Sequence, residues 1–168
     1  MKLYLLRHGI AADLGAAGCS RDADRPLTPK GKRRVRAIAA ALKRLGVEPG
    51  LILTSPYLRA RQTAEIVAEI LRAKGRLRLC SHLIPSGDAR HLIEFIQQEE
   101  PEADGVLLVG HEPYLSSLAS LLVSGNSSSS LTLKKGGVCL LNVRELTPGR
   151  CATLEWLLTP RQMRLIAA

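Results

Sequence analysis

Apolar residues come in short unbroken runs, separated by longer stretches in which they recur every three to four positions. Lys2 to Leu6, Leu51 to Thr54 and Val106 to Val109 are the short runs. Their length and continuous apolar character predict strands buried on both faces, as in a parallel sheet. Between the first two, Thr28-Pro29 supplies an N-cap and a proline at the first helical position. Val35, Ile38, Ala39, Leu42 and Leu45 then form one apolar stripe, which Gly46 ends. Ser55-Pro56 repeats the cap-and-proline start and predicts a helix to about Ala73, with Ala64, Val67, Ile70 and Leu71 inward.

Leu77 to Cys80 fits a further short strand. Asp88 heads a helix running through Gln98, with Leu92, Ile93 and Ile96 facing the core, and Pro113 opens another with Leu115, Leu118, Ala119 and Leu122 inward. Gly136 to Val143 and Cys151 to Leu158 flank Pro148-Gly149 as a closing hairpin, with Trp156 in the core, before Thr159-Pro160 starts a short last helix. The alternation predicts an α/β fold. It is a three-layer sandwich in which helices cover both faces of a mostly parallel central sheet, with one antiparallel strand pair at its end. The 168 residues suit a single domain, 1–168.

Composition narrows the chemistry. Cys19, Cys80, Cys139 and Cys151 show neither a C-x-x-C pair nor metal-ligand spacing, so no metal and no disulfide framework is expected, and Cys80 and Cys139 read as small buried hydrophobes. No signal peptide and no membrane-spanning run stand out, which makes the cytoplasm the expected compartment and a membrane no expected partner. The net charge of +9 gathers on one helix at Lys30, Lys32, Arg33, Arg34, Arg36, Lys43 and Arg44. Such a run is first a solvated face, and second a field that steers anionic substrates. Aromatic residues are too few for a single-strand stacking platform, so nucleic acid is not the expected partner. Gly125 to Ser130 is low in complexity, is expected to be mobile and is assigned no chemistry.

Two of the strands end alike. Arg7-His8-Gly9 follows the first and Gly110-His111 follows Val106–Val109, at the sheet edge where open α/β folds bind ligands. Arg59, in the first turn of the helix after Leu51–Thr54, points back to the same edge. Guanidinium groups match phosphate oxygens in pairs, and helix N-termini favour an anion. Gly9 and Gly110 are expected to let backbone approach the ligand. A neutral imidazole is a competent nucleophile towards phosphorus, and two neighbouring arginines are expected to hold His8 neutral. His111 is then a second donor to the phosphoryl oxygens. No carboxylate cluster for a magnesium ion is evident, so no cofactor is expected.

Leu6-Arg7-His8-Gly9, Leu27-Thr28-Pro29-Lys30-Gly31, the stretch from Ser55 through Arg59 to Ala64, and Gly110-His111, in that order, resemble the histidine phosphatase (phosphoglycerate mutase-like) superfamily. Length and the Pro85-Ser86-Gly87-Asp88 segment make the chain most similar to its small phosphohistidine phosphatases of the SixA type. The resemblance implies that His8 is the phosphorylated nucleophile, Arg7 and Arg59 are phosphate ligands, His111 is the second active-site histidine and Ser55 lines the pocket. It also exposes departures. The acidic proton donor of larger relatives is not evident near His82 to Pro85, and Asp88 is the nearest acid, with helix capping as its alternative role. An asparagine common after the R-H-G segment is missing, with Asp13 and Leu14 in that neighbourhood. A phosphorylated imidazole leaves more readily than an alkoxide, so the expected partner is a phosphohistidine-bearing protein. A small phosphate ester is the alternative substrate, and a non-catalytic phosphate-binding module the remaining one.

Overall fold

The computed structural model describes residues 1–99, 103–128 and 131–168. Strands β1 (Lys2–Arg7), β2 (Leu51–Thr54), β3 (Leu77–Leu79), β4 (Gly105–Gly110), β5 (Val138–Val143) and β6 (Ala152–Leu158) form one sheet in the order β3-β2-β4-β1-β5-β6. Helices α1 (Pro29–Arg44), α2 (Leu58–Ile70) and α5 (Pro160–Ala167) cover one face, and α3 (Ala89–Glu99) and α4 (Tyr114–Ser124) the other. The sandwich is therefore α/β and three-layered, with helices on both faces.

The period of two along β1 divides the core. Leu3 and Leu5 join Leu92, Ile96, Leu115 and Leu118 beneath α3 and α4, while Tyr4 and Leu6 join Val35, Ile38, Leu42 and Val67 beneath α1 and α2. Both halves of the strand lose water, which is why its sequence carries no polar alternation. Parallel pairing of β1 with β4 runs in register from Lys2 opposite Gly105 to Arg7 opposite Gly110. That register decides the site, because it ends both strands at the same level.

The closing hairpin inserts a single reversed strand. β5 runs antiparallel to β1, and β6 runs antiparallel to β5, so β6 again points the way of β1. A local hairpin pattern reports that two strands pair and says nothing of which older strand receives them. Trp156 is half-buried rather than enclosed, because β6 is an edge; its ring lies 6.2 Å from that of Tyr4.

Helix ends follow side-chain chemistry where that chemistry is local. Thr28 Oγ1 accepts from the Gly31 amide at 2.9 Å, and Thr159 forms a reciprocal capping box with Gln162. Leu45 falls just past α1 and is exposed. The helix after Ser55-Pro56 begins two residues later than that pattern predicts, at Leu58, and ends at Ile70. Ser55 is buried and engaged elsewhere. Gly125 closes α4 in a left-handed conformation, and the Ser120 and Ser124 hydroxyls donate to the Asn126 carbonyl, while Ser129 and Ser130 lie outside the described residues. Cys80 and Cys139 are buried among apolar side chains. Among the described residues no helix is long and apolar enough to cross a membrane.

Candidate active site

The segment behind β1 is held by backbone from two neighbours. The His8 amide donates to the Gly110 carbonyl at 3.0 Å, and the Gly136 amide lies within hydrogen-bond reach of the carbonyls of both Arg7 and His8. Because β5 runs opposite to β1, the loop leading into β5 arrives at this carboxyl edge. Its Leu133 carbonyl accepts from Arg7 Nη1 at 2.8 Å and so aims that side chain.

His8 is buried, with 6% of its surface exposed. Its Nδ1 lies 2.7 Å from the Gly9 carbonyl oxygen, which can only accept. Nδ1 therefore carries the hydrogen, and Nε2 keeps its lone pair. Arg59 Nε, an obligatory donor, sits 3.2 Å from that lone pair. Arg59 is itself buried, in the first turn of α2. Its Nη1 donates to the Asp22 carbonyl at 2.6 Å and its Nη2 to Asp22 Oδ2 at 2.9 Å. Tyr57 lies beside the guanidinium, 5.2 Å away by ring centroid.

His111 enters from the end of β4. Its ring centroid is 5.0 Å from that of His8, and its Nε2 shares a hydrogen bond of 2.9 Å with Ser55 Oγ. Arg7, His8, Arg59 and His111 thus meet at one place, with Ser55 behind His111. Arg7 Nε and His111 Nδ1 are buried and have no hydrogen-bond partner among the described residues, and neither does Glu112 Oε1, whose other oxygen accepts from Ser116. A buried unpaired donor costs about 1–3 kcal/mol, so Arg7 Nε, and His111 Nδ1 when Ser55 Oγ donates to Nε2, mark a site built for an acceptor.

Burial is the main cause of the imidazole electrostatics. It pushes His8 down to about 3, with His111, Arg59 and Arg7 adding repulsion and the Gly9 hydrogen bond opposing. His111 falls to about 4, again chiefly by burial, with Arg59 next. The direction matches the expectation for His8, but desolvation outweighs the two arginines. Among the described residues no cluster of three or more His, Cys, Asp or Glu is placed to hold a metal.

Other sequence candidates have different occupations. A Cβ on Gly9 would meet Val35 at 2.6 Å, and one on Gly110 would meet Leu115 at 3.3 Å. Both glycines let the chain approach itself on the side where a side chain would stand. Ser55, instead of capping the helix, bonds His111 and accepts from the Tyr57 amide. Asp88 is exposed and caps α3 by accepting from the Arg90 and His91 amides at 2.8 and 3.1 Å. Those bonds, that from His91 first, hold its carboxyl below the usual range, which disfavours proton donation at neutral pH.

Four further residues shape the site without having been singled out by sequence. Thr63 Oγ1 accepts from the Gly9 amide at 3.1 Å and donates to the Arg59 carbonyl, and Gln62 Oε1 accepts from the Leu27 amide at 2.7 Å. Their positions three and four residues after Arg59 place them on its face of the helix, a signal the sequence does contain. Asp22 and Tyr57 carry no such periodic signature.

Residues 3–79 match the family model described as histidine phosphatase superfamily (branch 1). The chain is 31% identical to the phosphohistidine phosphatase SixA of Escherichia coli K12, over 100% of this chain and 99% of that protein. It is 42% identical to an uncharacterised protein of Picosynechococcus, over 82% of each. A solved structure of the protein histidine phosphatase SixA complexed with tungstate superposes with a TM-score of 0.83, at 28% identity, covering 96% of this chain and 98% of that one.

Proposed function

The chain belongs to the histidine phosphatase superfamily as a SixA-type member, and on that premise we propose that it takes a phosphoryl group from protein phosphohistidine onto His8 and passes it to water. The observation that carries this reading is the meeting of Arg7, His8, Arg59 and His111 around one uncharged imidazole nitrogen. The Nε2 lone pair of His8 attacks phosphorus, and the N–P bond of the substrate breaks as the new one forms. The departing imidazole takes its proton from solvent. Nδ1 keeps its hydrogen throughout, and the Gly9 carbonyl stabilises the positive ring of the phosphoenzyme. Water then attacks the phosphorus, releasing inorganic phosphate and restoring the lone pair.

Arg7 and Arg59 are the phosphoryl ligands. Ser55 donates its hydroxyl hydrogen to His111 Nε2, which leaves a hydrogen on Nδ1 for a phosphoryl oxygen. An anion at His8 therefore supplies acceptors to both buried unpaired donors at once. Such positioning and electrostatics are most of what phosphoryl transfer requires, without a metal step.

The substrate follows from the missing acid. An alkoxide leaving group needs a proton, and general acid catalysis typically supplies ~10²–10⁴-fold. Asp88 is committed to capping α3, and among its described residues the segment between β3 and β4 holds that helix and short turns. A phosphorylated imidazole does without the acid, and a macromolecular substrate can reach an uncovered sheet edge. A panel that sets phosphohistidine protein against small phosphate esters tests this. Turnover of the protein with poor ester activity is expected; efficient turnover of one ester with none on the protein makes the enzyme a metabolite phosphatase instead. In His8→Ala the acid-labile phosphoenzyme should vanish, and activity of the native protein should survive a chelator.

A further inference from the structure

We propose that Asp22 is a resident substitute for the phosphoryl group, holding Arg59 and Arg25 until a phosphorylated ligand displaces it. This rests on Arg59 being a phosphate ligand. The carboxylate bridges two guanidinium groups, Oδ2 accepting from Arg59 Nη2 at 2.9 Å and Oδ1 from Arg25 Nη1 at 2.8 Å. Its own carbonyl takes Arg59 Nη1. Nε of Arg59 is directed to His8, so every guanidinium nitrogen is occupied. Three of the five guanidinium hydrogens are thus engaged; a phosphoryl group arriving at His8 attracts these donors with nearly twice the charge of a carboxylate, and the acceptors that yield are those of Asp22.

The two partners differ in freedom. The Arg59 side chain is 6% exposed, whereas that of Asp22 is 48% exposed. Asp22 opens a single 3₁₀ turn (Asp22–Asp24) near the far end of a stretch whose two ends are pinned, Ala11 bridging to Leu27 and the Thr28 amide bonding the Ile10 carbonyl. The arginine is the fixed element and the carboxylate the movable one. Partial burial works against the Asp22 charge, but Arg25 and Arg59 outweigh it and keep the carboxyl below its usual range, so it is an anion when substrate comes.

A carboxylate is nevertheless an incomplete substitute. It brings one charge where a phosphoryl group brings nearly two, and it leaves Arg7 Nε and His111 Nδ1 without partners. The exchange thus favours phosphoryl groups over carboxylates and weakly basic anions. It also makes Arg25 a second-rank ligand at the rim. After hydrolysis, return of Asp22 to Arg59 competes with inorganic phosphate and speeds its departure.

Calorimetric titration of the full chain with inorganic phosphate tests the exchange. Asp22→Asn and Asp22→Ala should bind phosphate about tenfold or more tightly than the native protein, and be inhibited by it more strongly. Weaker binding in Asp22→Asn would overturn the proposal and leave Asp22 as a positioning residue for Arg59. Hydrogen exchange separates displacement from simple repulsion. Saturating phosphate should speed exchange at the Asp24 and Arg25 amides, which bond the Arg21 and Asp22 carbonyls, and Asp22→Ala should exchange fast without it. Unchanged exchange on phosphate binding sinks the displacement. Arg59→Ala reports on the underlying reading alone: it should lose phosphate binding whichever residue stands at 22, and full retention would show that Arg59 is no ligand.

Discussion

His8 and His111 each lose most of their water on folding, and both consequently resist protonation. The unfolded chain takes up those protons from about pH 6.5 downward, whereas the folded chain refuses them until about 3 and 4. Stability is therefore unaffected by these groups above pH 6.5 and declines as pH falls through that window. Each histidine contributes a slope of about 1.4 kcal/mol per pH unit there. Urea unfolding at pH 6 and pH 4 should show His8→Ala losing less stability on acidification than the native protein, by roughly that slope; an identical loss would mean His8 is not held neutral. Ser55→Ala removes the partner of His111 Nε2 and should lower kcat/KM about tenfold while KM for the substrate moves little. The histidines were legible because each ends an apolar run. The role of Ser55 was not, since Ser-Pro after a strand reads the same whether the hydroxyl caps a helix or turns towards another strand.

At the scale of elements, the start of α1 does more than begin a helix. Gly31 lies so close to Ile10 that an added Cβ would stand 2.1 Å from its carbonyl oxygen, while the Thr28 amide bonds that same oxygen. The Leu27-Thr28-Pro29-Lys30-Gly31 stretch thus clamps the return of the loop that carries Asp22. Gly31→Ala should destabilise the fold by about 1–3 kcal/mol in denaturant titration, whereas Gly75→Ala, with open space around it, should be neutral. Gln62→Ala strips the Leu27 amide of its partner and should loosen the same loop, seen as faster hydrogen exchange at Leu27. Sequence spacing disclosed the helix, its cap and its stripe, because those depend on neighbours within a turn. It could not disclose Asp22 opposite Arg59, a contact across 37 positions made by a stretch with no repeating pattern.

Across the whole molecule, positive charge is divided between a site that uses it and a surface that does not pair it. Lys32, Arg33, Arg36 and Lys43 are exposed on α1 and form no ion pair among the described residues. Arg59→Ala should cut kcat/KM by ~10²–10³-fold, and Arg34→Ala should change it less than twofold at moderate salt. The reverse ranking in a steady-state assay would place the working charge on the helix instead. Layering and the parallel core were legible throughout, since a strand buried on both faces announces itself by composition; the position and direction of β5 were not. That reversed strand has a consequence for any shortened form of the chain. A fragment ending at Ser128 would retain Arg7, His8, Arg59 and His111, yet lose the Leu133 oxygen that steadies Arg7 and the Gly136 amide that grips two successive carbonyls behind the nucleophile. It would also bare β1 as a raw border open to other chains. Its defects would be poor aim and self-association, with every reactive group still aboard.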